Sequence, residues 1–161
     1  MKKPSEQHSK SVGSLMYLFL LAFALITLLG ACSLQEDKQQ IVGTELWETT
    51  DSFEVLPTFL DEHSEHTTQL YSHVHEHTHV MGMIDCYCGC MEDNGIDEPH
   101  DSLLRCYLTE HPTDDGTVTW TDHSTMCGIC KQEMEVVIEM KNQGSSDDDV
   151  IAAVKDKFSH Q

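Results

Sequence analysis

Six cysteines fall within 45 residues: Cys86, Cys88 and Cys90 in Asp85-Cys86-Tyr87-Cys88-Gly89-Cys90, then Cys106, Cys127 and Cys130. Whether they pair or bind metal, three separate stretches of chain have to meet, and the rest of the fold must be arranged around that meeting. As disulfides, six cysteines allow fifteen complete pairings. Cysteines two apart are strained partners because their Cβ vectors diverge, and a Cys86 to Cys90 bridge would pinch the same loop. If all three pair elsewhere, six arrangements remain. As ligands, thiolates two apart can grip different metals or bridge a pair, and Cys127-Gly128-Ile129-Cys130 has the two-residue gap common in zinc and iron sites. His100 and His123 supplement them. Six sulfurs and two imidazoles make eight ligands, enough for two four-coordinate zinc sites or a Cu(I)-thiolate cluster. Soft sulfur selects those metals over calcium or magnesium.

A redox reading competes, because Cys127 opens a helical stretch whose macrodipole would lower its thiol pKa. Thioredoxin-like enzymes need a βαβ frame before such a motif, however, and residues 117–126 offer a hairpin strand instead. Four more cysteines nearby would also scramble an exposed reactive thiol.

A second constellation lies upstream in His73-Val74-His75-Glu76-His77-Thr78-His79, with His63 and His66 before it. In a strand all four imidazoles would share one face; in a helix, the preferred reading, they split into two i, i+4 pairs, His73 with His77 and His75 with His79. Such a pair can chelate zinc, copper(II) or nickel, a weaker second site than the cysteines. The plainer alternative is a solvated histidine-rich surface that charges below about pH 6.5. Ser102 and Ser124 lack any motif that would place a nucleophile beside a base, and Trp120 and Tyr87 read as packing residues around the cysteines.

At the N-terminus, Lys2, Lys3 and Lys10 precede an uncharged run over residues 11–29 and then Gly30-Ala31-Cys32, the three-part plan of a signal peptide. The run is about long enough to span a bilayer, so a signal anchor is the rival. Leu29-Gly30-Ala31-Cys32 resembles the lipobox of bacterial lipoproteins, which implies cleavage before Cys32, lipid on its thiol and attachment to the extracytoplasmic face of the cell membrane. Residues 1–31 are then the signal peptide, and the mature chain retains six of the nine Lys+Arg but 27 of the 28 Asp+Glu. So acidic a surface repels nucleic acid and anionic headgroups and concentrates cations; the plainer reading of the acidity is solubility at a surface.

Along the mature chain, residues 32–55 are polar and aperiodic and read as a flexible tether, despite Ile41, Val42 and Trp47. Pro57 and Thr58 start a helix over about 58–77, with Leu60, His63, Thr67, Leu70 and Val74 as its buried stripe. Residues 85–98 are expected to be a loop shaped by its ligands or bridges. Residues 103–108 and 117–121 are β-prone and separated by a turn containing Asp115-Gly116, which predicts a small hairpin. A helix follows over about 126–142, Gly144 suits its C′ position, and Ser146 with Asp149 makes a capping-box start for a last helix burying Val150, Ile151, Val154 and Phe158.

Several of these marks occur together in one family. Pro57-Thr58-Phe59-Leu60, Tyr71, Cys86-Tyr87-Cys88-Gly89-Cys90, His100 with Ser102 and Cys106, Gly116 through Trp120, His123, and Cys127 with Cys130 resemble the PCYCGC-motif lipoproteins of Gram-positive bacteria over about residues 56–158. Asp85 stands where that family usually has proline, and the histidine run is a second departure. The resemblance implies lipid anchoring and one shared Cys/His site but supplies no reaction. A fainter likeness, confined to the CxxC, the helix after it, Gly144 and Ser146-Asp147, is to the thiol-reductase subunit of cytochrome c maturation.

The chain is thus expected to be a mainly α, Cys/His-stapled single domain (56–161) with a short β-hairpin. It is expected to bind zinc or Cu(I) without an organic cofactor or catalysis, anchored to the membrane through Cys32 and with no identified protein partner. An extracytoplasmic thiol-disulfide oxidoreductase and an inert disulfide-stapled domain are the alternatives.

Overall fold

The computed structural model describes residues 38–89, 100–110, 113 and 115–160, which belong to one unit, Lys38–Gln161. Cys32, Cys90, residues 1–31 expected to be a signal peptide, and most of the acidic part of the 85–98 loop lie outside the described residues. Among those described, no helix is long and apolar enough to cross a membrane.

The first finding corrects the tether. Gln39–Val42 (β1) and Glu45–Thr50 (β2) are antiparallel strands, joined through Gly43, whose φ of 58° suits a residue without Cβ. β2 is the central strand, pairing also with Val118–Thr121 (β3), with Glu48 opposite Trp120. What hid the strand is its burial pattern. Its buried positions are Glu45, Glu48 and Thr50, so no apolar alternation marks it. Each finds a remote partner. Thr50 Oγ1 accepts from Trp120 Nε1 at 2.8 Å. Glu48 accepts from the backbone N–H groups of Thr58 (2.8 Å) and Phe59 (3.3 Å).

The helix expected over 58–77 is broken into a 3₁₀ turn, Thr58–Glu62, and two α-helices, Glu65–Ser72 (α1) and Val74–Met81 (α2). Ser64 caps α1 by accepting from Thr67 N at 3.2 Å, satisfying an N–H that has no helical partner. The stripe survives the breaks except at His63, which is only half-buried: Leu60, Thr67, Leu70 and Val74 are buried.

The hairpin expected between 103–108 and 117–121 is reduced to one bridge, Leu108 to Trp120. Leu104–Cys106 is a 3₁₀ turn instead, and the ladder of β3 is formed with β2. The helix expected over 126–142 is a single turn, His123–Met126 (α3), followed by Gly128–Asn142 (α4), with Cys127 extended between them as N-cap. The last helix, Asp147–Phe158 (α5), starts as the capping pattern predicts, Ser146 Oγ accepting from Asp149 N at 3.3 Å, and it buries Val150, Val154 and Phe158.

The domain is therefore mostly helical with a three-stranded antiparallel sheet and a Cys/His cluster. At its centre Tyr71, Tyr107 and Trp120 are fully buried. Tyr71 lies 4.8 Å from the Tyr107 ring, and its hydroxyl donates to Thr121 O at 2.8 Å, tying α1 to β3.

Candidate metal centre

Four segments deliver the cysteines and histidines to one place. Cys86 and Cys88 lie in the extended segment after α2, held beside the 3₁₀ turn because Leu103 N donates to Ile84 O at 2.8 Å. Cys106 ends that turn. His123 opens α3 directly after β3, and Cys127 and Cys130 start α4. Cys130 faces inward because it shares a helical stripe with Met134 and Val137, all three without exposure.

The sulfurs crowd. Cys86 Sγ is 3.2 Å from Cys88 Sγ and 3.6 Å from Cys130 Sγ, and Cys88 Sγ is 3.9 Å from His123 Nε2. Two four-donor groups result, Cys86, Cys88, Cys106 and Cys130, and Cys88, His123, Cys127 and Cys130; within each, all donor atoms lie within 4.8 Å of one another. His100, Cys106 and His123 form a third group by the same measure. No disulfide joins any two of the described cysteines. This buried Cys/His cluster can hold a metal ion.

Its electrostatics favour thiolates at Cys88 and Cys130. Hydrogen bonding with Cys106 first, then Cys127, Cys130 and Cys86, draws the Cys88 thiol far below its ordinary value. Cys130 is lowered by Cys106, Cys127 and Cys86. Cys127 is pushed up by its bonds with Cys130 and Cys88.

Two carboxylates that sequence reasoning missed support the cluster. Glu45, the first residue of β2, places Oε1 2.9 Å from His123 Nδ1 and 3.1 Å from His100 Nε2. Its Oε2 accepts from Thr121 Oγ1 at 2.8 Å and Trp47 Nε1 at 3.1 Å. Burial by itself would raise the Glu45 carboxyl; the bonds from His100, His123, Thr121 and Trp47 outweigh it and hold the group well below the carboxylate range. With Nδ1 donating to the carboxylate, His123 turns its Nε2 lone pair toward Cys88, the tautomer a metal-binding imidazole needs. No local signal marked Glu45, which lies in a stretch that read as tether.

Glu133 is the second. It has no exposure, and its Oε1 accepts from Tyr87 N at 2.8 Å. Burial raises its carboxyl to about 8. Its place on the buried stripe, three residues after Cys130, was the available signal. In the metal-free, reduced protein, a raised folded pKa means that stability is complete below about 4.5 and falls as pH rises toward about 8, since only the unfolded chain releases the proton. Glu133→Gln should remove that fall, a difference on the order of 4 kcal/mol by pH 8. Urea unfolding of both proteins at pH 5 and 8 checks it; parallel pH profiles would refute it.

The histidine run divides. His73, Glu76 and His77 bring their donor atoms within 4.8 Å, and His77 is buried with neither ring nitrogen hydrogen-bonded. His75 instead stacks on Phe53 at 4.4 Å and 5°, and His79 lies 4.0 Å from Asp147 Oδ2. One of the two expected i, i+4 pairs thus joins Glu76 in a group that could hold an ion, while the other is engaged with Phe53 and Asp147.

Compared with known proteins, the chain matches the family model described as a protein of unknown function with PCYCGC motif, over residues 18–161. It belongs to the PCYCGC family. The PCYCGC match extends further toward the N-terminus than the motif residues alone suggested, and the motif is represented here by Cys86-Tyr87-Cys88-Gly89-Cys90, with Asp85 in place of the proline. No curated protein and no solved structure matches.

Proposed function

We propose that this PCYCGC-family protein is a lipid-anchored, extracytoplasmic metal-binding protein that handles or stores zinc or Cu(I) in its Cys/His cluster, without catalysing a reaction. The convergence of five thiols and the His123 imidazole carries this reading. Donors bound tetrahedrally at about 2.3 Å from zinc lie roughly 3.8 Å apart, and three of the donor pairs here are separated by 3.2, 3.6 and 3.9 Å. The Glu45–His123 contact adds the carboxylate that orients a metal-binding imidazole. One side of the cluster reaches solvent through half-buried Cys88, Cys127 and His123 while Cys86, Cys106 and Cys130 are buried, which suits an ion that is exchanged as well as held. The acidic field favours cation capture.

The anchor rests on Leu29-Gly30-Ala31-Cys32 and the charged and apolar stretches before it. Labelled palmitate should be incorporated into the wild-type protein but not into Cys32→Ala; label retained by the variant, or absent from the wild type, would count against a lipid on that thiol.

Mass spectrometry of the anaerobically purified unit Lys38–Gln161, first native and then denatured with alkylation, tests the metal. Bound ion with six alkylatable thiols is the expected result. No ion and no alkylatable thiol would leave an inert bridged domain, and no ion with a pair that exchanges under mild reductant would leave an oxidoreductase. The same measurement on His73→Ala/His77→Ala separates any ion held by the histidine group from ions in the cluster.

A further inference from the structure

We infer that the cluster is a dinuclear centre in which Cys88 and Cys130 each bind both of two divalent thiophilic ions of the zinc class. This rests on the metal-binding reading above and adds the number of ions, their shared ligands and their charge.

The argument begins from donor counting. The two groups of four overlap in Cys88 and Cys130, so six residues provide eight coordination positions when those two sulfurs are used twice. Four-coordinate ions need four donors each, and a thiolate has lone pairs to spare for a second metal. A single ion can occupy only one group. In the first it leaves Cys127 and His123 unused; in the second it leaves Cys86 and Cys106, which are 3% and 0% exposed, packed against a metal they do not bind. With two ions every donor of both groups is engaged.

Charge selects the kind of ion. The five thiolates of the two groups carry five negative charges and the imidazole none. Two divalent ions leave one negative charge, whereas one divalent ion or two Cu(I) ions leave three. Burying net charge is costly, and the Glu45 carboxylate already adds another 2.9 Å from His123 Nδ1. The divalent pair is the combination that most nearly neutralises the site. Each thiol still protonated when the ions arrive releases its proton to solvent. The two positions also differ in access. One is closed by buried Cys86 and Cys106, the other by half-buried Cys127 and His123, so the second should empty first.

The test uses the unit Lys38–Gln161 carrying His73→Ala/His77→Ala, to exclude the histidine group, loaded with ¹¹³Cd as the probe. Native mass spectrometry should find two ions per chain, and ¹¹³Cd NMR should show two resonances that split each other, because only a shared sulfur couples them. Cys127→Ser should reduce the count to one ion with an unsplit resonance, and a chelator should remove one ion from the parent before the other. One ion in the parent, two resonances without mutual splitting, or two coupled ions in Cys127→Ser would overturn the shared-thiolate centre while leaving metal binding standing. No bound ion at all would instead overturn the reading beneath it.

Discussion

Stripping metal from the reduced unit Lys38–Gln161 with a strong chelator is expected to lower its melting temperature by roughly 20 °C or more, and adding zinc back should restore it. Metal binding to structural thiolate sites contributes about 10–16 kcal/mol, comparable with the entire stability of an ordinary domain, about 5–15 kcal/mol. The cluster here joins the segment after α2, the 3₁₀ turn Leu104–Cys106, and the starts of α3 and α4. Without an ion, those segments meet at a crowded group of sulfurs, two of which, on Cys106 and Cys130, have no contact with water. The aromatic centre of Tyr71, Tyr107 and Trp120 contains none of the candidate ligands, so partial order should persist. Yet Tyr107 donates its hydroxyl to Cys130 O at 3.2 Å, so loosening the start of α4 reaches that centre too. Thermal melts followed by circular dichroism, with metal content measured on the same sample, decide the matter. An unchanged melt after complete metal removal would show that the cluster contributes nothing to folding.

The second large effect is expected at Glu45. Replacing it with alanine should destabilise the domain by about 3–5 kcal/mol, the usual result of removing one member of a buried charged network. It should also weaken metal binding about 10- to 100-fold through the loss of His123 orientation. Both follow from one carboxylate, whose Oε1 serves His123 and His100 and whose Oε2 serves Thr121 and Trp47. Glu45→Gln keeps the shape and an acceptor oxygen but loses the charge, so its defect should be smaller. The pH dependence has a definite sign. A carboxyl held below its ordinary value of 4.5 contributes stability above that pH and loses it as the pH falls further. Wild type should therefore lose more stability than Glu45→Gln on acidification below about 4.5. Denaturant unfolding and competition with a zinc-binding dye measure the two effects separately. A Glu45→Ala protein with wild-type stability and affinity would contradict the role assigned to this residue.

Local chemistry accounts for what was legible. The start of α5 is a side chain bonding to a backbone three residues on, and its buried face is three residues at helical spacing, so residues 146–158 could be read without any partner. For α4 only the helical composition was legible, not its start at Gly128. Where α1 and α2 break was less so. A continuous apolar stripe covers both, and the stripe does not record that Ser64 caps a new helix or that His73 lies between the two. The region 103–108 departs from a full hairpin because β-prone composition states a willingness to pair, not the partner; β3 forms its ladder with β2, a strand that no apolar alternation marks.

By itself the sequence determined that segments around residues 86–90, 106 and 127–130 must meet, because sulfur spacing constrains the chain under either bridging or metal binding. It also determined the terminal helices, whose caps and faces lie within a few residues of each other. The tertiary structure alone decided that Glu45 belongs to the site and that residues 39–50 are sheet. The physical reason is distance along the chain. A buried carboxylate in a strand looks like an exposed one until its donors arrive, and those of Glu45 are 76 and 78 residues away at Thr121 and His123.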